Sequence, residues 1–363
     1  MATMRQARPG RAVHGRAPAR LSASRRGTKR EGADVTSDRV LEVAARHLDQ
    51  FVSLESKVLK GNKPEAIHDI RVASRRLQQV FDLIYPLPRA QRVRKLRRTI
   101  RRSRRVLSLV RNCDVLLDRT ERVLARKQTS RREAWEAFRD YLRERREQSF
   151  RRASRRLGKL NLSAFYVRLK EQLRSDASPS NPPAAQDASP AGENELSLRG
   201  RLGQELMEAW SALEGGVGEA QERPGAAALH SVRIAAKKVR YLIEVIHELE
   251  VSECGQALAC LRRLQQRLGD WHDLEILEEM LLEMVARPAF LRGRLELAME
   301  VERLVLRNRR SKKAHEKEFF HMTQDSEEWK RLTDWVQGFL AADSAHAGRD
   351  RKEAHSPVLP PRA

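Results

Sequence analysis

Two stretches of the chain repeat one pattern, EAIHDIRVASRRLQQVFDLI at residues 65–84 and AALHSVRIAAKKVRYLIEVI at residues 227–246. In the alignment His68 matches His230 and Arg71 matches Arg233, and a pair of basic residues follows at matched positions in each copy. Apolar residues recur at three- and four-residue steps in both copies, which predicts an amphipathic helix. The chain therefore contains a duplicated helical unit that presents the same cationic side chains twice.

The repeat continues further along the chain. LVRNCDVLLDRT, which starts at residue 109, corresponds to DWHDLEILEEM, which starts at residue 270. Arg111 then matches His272, and Asn112 matches Asp273. No stretch alternates like a strand, so we expect an all-α protein made of two tandem helical halves.

Composition shifts divide the chain into five segments. We expect a disordered basic tail at residues 1–36, a first helical half at 37–174, a flexible Pro-rich linker at 175–193, a second helical half at 194–341 and a disordered tail at 342–363. The Arg/Ser/Ala composition of the first tail leaves a transit peptide as an alternative. Gly215-Gly216 and Gly269 are expected to interrupt the helical pattern of the second half.

The charge balance indicates a polyanionic partner. The 363 residues carry 72 Lys+Arg and 49 Asp+Glu, a net charge of +23, which favours nucleic acid, an anionic surface or a phosphate polymer. The chain has three cysteines and no C-x-x-C pair, so we expect neither disulfides nor a cysteine zinc site, and a cytoplasmic location. No apolar run is long enough to span a membrane, and we expect no membrane association.

Each repeated helix carries a cationic stripe beside its apolar stripe. His68, Arg71 and Arg75 share one helix face, and His230, Arg233 and Lys237 share the corresponding face. The apolar stripe of the first copy contains Ile67, Ile70, Leu77, Phe81 and Ile84. A cation at the edge of a buried face is costly unless an anion or an acid compensates it. A solvated helix face is the alternative interpretation of such charges.

An Arg-rich segment at residues 89–111 holds eleven Lys/Arg and no acid. If it forms one helix, a single face carries Arg97, Arg101, Arg104 and Arg111. Arginine dominates over lysine here, which suits bidentate phosphate recognition. We interpret the segment as a second phosphate-binding surface, with a solvated face again as the alternative.

These strings resemble the signature of the CHAD family, the conserved histidine α-helical domain, over residues 37–340. The resemblance rests on His68, Arg71, Arg75, Arg76, His230, Arg233, Lys237, Lys238, Arg240 and Tyr241, and on LSLVRNCDVLL and RLGDWHDLEIL. It implies two antiparallel four-helix-bundle halves related by a pseudo-two-fold axis. It also implies a basic central groove or pore that binds inorganic polyphosphate, with localisation to polyphosphate granules. Ser108 replaces the usual Gly and Asn112 the usual Asp, and the E-x-E-x-K motif of fused triphosphatase domains is absent.

Other functions have weaker support. The dipeptides His68-Asp69 and His272-Asp273 lack the further ligands of an HD phosphohydrolase, and they lie at non-corresponding positions. A histidine phosphotransfer bundle remains a rival, as does non-specific RNA binding, for which residues 5–30 supply a basic tail but aromatic platforms are scarce. We therefore expect a polyphosphate-binding protein without catalysis, cofactor or metal, whose oligomeric state is open. The predicted binding residues are His68, Arg71, Arg75, Arg76, Arg97, Arg101, Arg104, Arg111, His230, Arg233, Lys237, Lys238 and Arg240.

Overall fold

The computed structural model describes residues 37–87, 89–177, 198–291 and 294–354. The helices are α1 Ser37–Gly61, α2 Pro64–Ile84, α3 Gln91–Val106, α4 Ser108–Leu124, α5 Arg132–Gly158, α6 Leu162–Ala177, α7 Leu198–Glu222, α8 Ala226–Glu248, α9 Gly255–Val285, α10 Pro288–Leu291, α11 Leu295–Gln324 and α12 Glu327–Ala354. No strand occurs within these ranges, which confirms the all-α prediction. The predicted basic tail and most of the predicted linker lie outside the described residues.

Local sequence signals fix several helix ends. Pro64 occupies the first turn of α2, where a missing backbone N–H costs no helical hydrogen bond. Asn62, just before it, adopts a left-handed backbone with φ of 45°, a conformation that asparagine tolerates well. Before α6, the Asn161 side chain accepts a hydrogen bond of 3.0 Å from the backbone N–H of Ala164. Each of the two repeated stretches lies within one helix, α2 for residues 65–84 and α8 for residues 227–246, as the periodicity predicted.

Two predicted interruptions are wrong, because α7 runs through Gly215-Gly216 and α9 runs through Gly269. At Gly216 a β-carbon would lie 3.4 Å from a methyl group of Val232, at the limit of ordinary van der Waals contact, so α7 packs against α8 at this position. The first half differs at the point that corresponds to Gly269. There the chain breaks at Leu107, and α4 begins at Ser108.

Two hydrophobic cores hold the helices together. The large core contains the apolar stripe of α2, as predicted, and residues from α1, α3, α6, α7, α8, α12 and the first part of α9, with single contributions from α4 and α11 and with the end of α5. The small core joins α4 and α5 to the second part of α9 and to α11, through residues such as Leu116, Phe138, Leu281 and Leu304. Each core therefore takes helices from both predicted halves, while the pseudo-two-fold relation itself stays a prediction.

The cysteines and the last helix can be compared with the sequence predictions. Cys113, Cys254 and Cys260 are buried free thiols. Residues 342–354 continue α12, although the sequence predicted disorder from residue 342. None of the described helices has an apolar stretch of the length needed to cross a membrane.

Candidate phosphate-binding cluster

The packing of α2 against α8 brings the two repeated cationic stripes together. Both helices bury their apolar stripe in the large core, and the cationic stripe beside it is held at the boundary of that core. Arg71, Arg75, Arg233 and Lys237 all remain partly exposed there. Arg104 of α3 joins them, and we call these five residues the basic cluster.

The electrostatic coupling between these side chains shows how closely they converge. Burial lowers the pKa of Lys237 to about 6, with further lowering by Arg233, Arg75 and Arg71. Burial likewise lowers the pKa of Arg71 to about 9, and Arg75 and Arg104 contribute to that shift. Arg75 also contributes to the lowered pKa values of Arg104 and Arg233, each about 10. Four guanidinium groups and the Lys237 amine, from three helices, therefore converge around Arg75, and their mutual repulsion favours the neutral form of Lys237.

Hydrogen bonds to neutral groups position part of the basic cluster. Arg71 donates from Nη1 to the Arg104 carbonyl oxygen at 2.6 Å and to Ser108 Oγ at 2.9 Å. Arg104 donates from Nη2 to Gln78 Oε1 at 2.9 Å. These contacts orient the guanidinium groups without neutralising them, so their charge remains available to an anion.

Other donors of the basic cluster lack partners. Within the described residues, Arg75 and Lys237 make no side-chain hydrogen bond or ion pair. Arg104 Nη1 and Arg233 Nε are buried without a hydrogen-bond acceptor in the same part of the chain. A buried donor left unsatisfied costs about 1–3 kcal/mol, and more when it is charged. The arrangement is therefore costly for the free protein and well suited to an anion with many acceptor oxygens.

Four of the predicted binding residues have acid partners instead. Arg97 makes two hydrogen bonds to Asp82, of 2.5 and 2.9 Å, and the pKa of Arg97 is raised by that contact. The other three form ion pairs: Arg76 and Arg240 each lie 3.4 Å from Glu244, and Lys238 lies 2.9 Å from Glu205. These cations are at least partly neutralised within the protein, which sets them apart from the basic cluster.

The Arg-rich segment does not form one helix, so the predicted single face is wrong. Because the chain breaks at Leu107, Arg111 lies on α4 while Arg97, Arg101 and Arg104 lie on α3. Arg101 and Arg111 are both partly exposed and have no side-chain partner in the described part of the chain. Arg101 contributes to lowering the pKa of Arg104, and Arg111 contributes to lowering that of Arg71. Both therefore adjoin the basic cluster.

The histidines lie at the edge of the basic cluster. Burial and neighbouring cations lower the pKa values of His68 and His230 below 6.5, and both side chains remain exposed. The His272 ring lies 5.7 Å from the His230 ring, and burial together with Arg233 lowers the pKa of His272 to about 4. All three side chains are neutral imidazoles at pH 7 when no anion is present.

His272 is a candidate site residue that the sequence analysis left out. Its match with Arg111 in the repeat is the sequence signal that points to it. Its neighbour Asp273 is largely buried, which raises the pKa of its carboxyl group, and Arg233, Arg119 and Arg111 act against that rise. The Asp273 carboxylate is the negative charge that opposes the lowering of the Arg233 pKa.

A family model for the CHAD domain matches residues 42–282 of the chain. The structure is similar to the crystal structure of the CHAD domain from the plant Ricinus communis, with a TM-score of 0.58, 19% sequence identity and coverage of 82% of this chain and 94% of that one. It is also similar to PptA from Streptomyces chartreusis, with a TM-score of 0.53, 16% identity and coverage of 80% and 99%. No curated protein matches the sequence.

Proposed function

The chain belongs to the CHAD domain family, and from that premise we propose that it binds inorganic polyphosphate through the basic cluster. Some members of this family bind polyphosphate. The observation that carries the proposal is the convergence of cations from both repeats at a place where the described residues supply too few acids to neutralise them. Polyphosphate offers closely spaced negative oxygens on a slim chain, so one molecule can contact α2, α3 and α8 together.

The proposal extends to reaction and location. We propose that the protein binds polyphosphate without hydrolysing or transferring it, and that it associates with polyphosphate granules in the cytoplasm. Among the described residues no group of three or more His, Cys, Asp or Glu side chains is placed to hold a metal ion. The histidines adjoin cations, and this environment supports a role as supplementary donors to phosphate oxygens.

RNA is the second candidate ligand, and the cluster itself argues against it. Single-stranded RNA is held by aromatic stacking as well as by phosphate contacts. Tyr241, the aromatic residue that adjoins Arg104 and Arg233 in the described structure, is buried and offers no exposed ring for a base. RNA binding through residues 5–30 remains a separate proposal, because those residues lie outside the described structure.

The salt dependence of polyphosphate affinity tests the proposal. If about five cations are neutralised, log affinity falls with log salt with a slope of about −4, and R71A/R75A/R233A/K237A removes about three units of that slope. The matched control is R76A/R97A/K238A/R240A, which removes the same formal charge from cations that already have acid partners. We expect its slope to change by less than half as much. Equal slopes for the two variants would place the site elsewhere.

Competition between ligands separates polyphosphate from RNA. On a chain shortened to residues 33–363, which retains all of the described residues, polyphosphate should displace RNA and be recovered intact. If RNA displaces polyphosphate from this shortened chain, the nucleic-acid alternative is correct. If orthophosphate accumulates, the protein is an enzyme and the binding-only proposal fails.

A further inference from the structure

A separate cleft of about 550 Å³ opens between α4 with its following loop and the pair α9 and α11. Its volume lies within the range of about 300–1,000 Å³ that is typical of small-molecule sites. It lies away from Arg71, Arg75 and Lys237, none of which lines it. The floor of the cleft is formed by the small core, so the cleft is built on packed helices.

One wall of this cleft is cationic. Arg119 and Arg122 lie one turn apart on α4, and Arg126 lies in the loop that follows this helix. Arg307 of α11 lines the opposite side of the opening. Arg119 and Arg126 have no side-chain hydrogen bond or ion pair with any described residue. Such arginines can bind phosphate oxygens in bidentate fashion.

Beside the apolar residues of the floor, the cleft contains two hydrogen-bond acceptors, Asn308 and Asp273. Asn308 is buried and donates from Nδ2 to the Leu274 carbonyl oxygen at 2.8 Å, but its Oδ1 has no donor among the described residues. The Asp273 carboxylate also lines the cleft and accepts no hydrogen bond from them. A fully ionised polyphosphate has no donor hydrogens and is repelled by a carboxylate. The ligand of this cleft must therefore carry hydroxyl or amino groups as well as phosphate.

An aromatic ring completes the cleft. Trp135 lines it and is only partly buried against the small core. A partly exposed indole beside arginines is a side chain on which a nucleobase can stack. We propose that this cleft binds a nucleoside phosphate, with its phosphates on Arg119 and Arg126, its base against Trp135 and its ribose hydroxyls directed to Asp273 and Asn308.

Calorimetric titration of the full chain with AMP, ribose 5-phosphate and tripolyphosphate tests the proposal. Because stacking adds to the phosphate contacts, AMP should bind about five- to a hundredfold more tightly than ribose 5-phosphate. W135L should reduce AMP affinity to that of ribose 5-phosphate, whereas W135F, which keeps a ring, should retain most of it. Equal affinities for AMP and ribose 5-phosphate, or no AMP binding at millimolar concentration, would overturn the proposal.

A rim variant and a charge-matched control locate the phosphate. R126A/R307A should weaken AMP binding at least tenfold, because Arg126 is one of the two proposed phosphate ligands and Arg307 adds positive charge from the opposite wall. R174A/R262A removes the same charge from two exposed arginines that do not line it, and AMP affinity should be unchanged.

The cleft proposal and the polyphosphate proposal can fail separately. R71A/R75A/K237A, which leaves Arg233 in place because its charge acts on Asp273, should keep its AMP affinity, since the three substituted residues lie outside the cleft. If instead AMP binding is lost with these three residues and survives R126A/R307A, AMP occupies the basic cluster and the cleft proposal is wrong. If tripolyphosphate displaces AMP from this variant, the cleft is a polyphosphate subsite and the nucleoside specificity is wrong.

Discussion

Binding of polyphosphate should be accompanied by the uptake of one proton at Lys237. Burial and neighbouring cations hold the pKa of Lys237 at about 6 in the free protein, so about 99% of this side chain is neutral at pH 8. A polyanion in the basic cluster favours the ammonium form and moves the pKa back toward 10.5. If the bound pKa exceeds 9, uptake at pH 8 is about 0.9–1 proton per site.

The choice of pH 8 isolates Lys237 from its neighbours. The nearby histidines have pKa values below 6.5 in the free protein, and they contribute little at pH 8. The guanidinium groups of Arg71, Arg104 and Arg233 have pKa values of about 9 to 10, so they are about 90% or more protonated at pH 8 and take up few protons. Calorimetric titration with long-chain polyphosphate in two buffers of different ionisation enthalpy measures the uptake directly, since the observed heat then depends on the buffer.

Three variants at two adjacent lysines complete the assay. K237R carries a permanent charge, so it should bind polyphosphate with no proton uptake, and K237M should lose both the uptake and about tenfold in affinity. K238R is the matched control: Lys238 is paired with Glu205 at 2.9 Å, so the wild-type uptake should persist. Absence of uptake in the wild type, or uptake that K237R retains, refutes the placement of polyphosphate at Lys237.

Three further outcomes follow from the same geometry. In the free protein the pKa of Lys237 is depressed, so between pH 6 and 10.5 the folded state binds fewer protons than the unfolded state. The free energy of unfolding therefore rises with pH in this range. K237M should raise it at pH 7 by about 1–3 kcal/mol, measured by urea melts, and should flatten its pH dependence. S108G removes the hydroxyl that accepts a hydrogen bond from Arg71, so it should lower the free energy of unfolding by about 0.5–1.5 kcal/mol in urea melts. The converse variant G269S should leave that free energy nearly unchanged, because its added β-carbon meets no atom within 4 Å. His272 has a pKa of about 4 in the free protein, so a polyanion should protonate it below pH 6, and H272Q should weaken the rise in polyphosphate affinity between pH 7 and pH 5, measured by fluorescence anisotropy.

The helical periodicity predicted the elements that position the site. Ile67, Ile70 and Leu77 are fully buried in α2, and the cationic stripe beside them lies at the boundary of the core as expected. Local pattern was sufficient here because an amphipathic helix determines which of its faces is buried. The glycines at positions 215 and 216 misled the prediction, because neither breaks α7: Gly216 lies against Val232 of α8, and a β-carbon at Gly215 would meet no atom within 4 Å.

The sequence could not separate free cations from neutralised ones. Arg76 pairs with Glu244, 168 positions away along the chain, and only the packing of α2 against α8 brings the two together. Arg75 directly precedes Arg76 in the same basic pair, yet it has no acid partner among the described residues. Helix periodicity fixes the direction of each side chain, whereas the identity of its partner depends on tertiary structure.

The two copies of the repeat use different means to support matched arginines. In the first copy, Arg71 is oriented by a carbonyl oxygen and by Ser108, where the second copy has Gly269. In the second copy, Arg233 has an unpartnered buried Nε, and the carboxylate of Asp273 supplies its main opposing charge. The first copy therefore holds its cation rigidly, while the second leaves a donor available.

Under the proposed function, this difference bears on how a single polyphosphate chain would contact the basic cluster. A symmetric pair of fully satisfied arginines would gain little from an anion, because each guanidinium would already have its acceptors. A pair of unsupported arginines would leave more buried donors unpaired, at further cost to the free protein. With Arg71 held in place and Arg233 incompletely paired, an anion meets an oriented charge on one side and an unsatisfied donor on the other. Duplication supplies the matched cations, and the divergence at Ser108 and Gly269 sets how much of the binding free energy each copy can contribute.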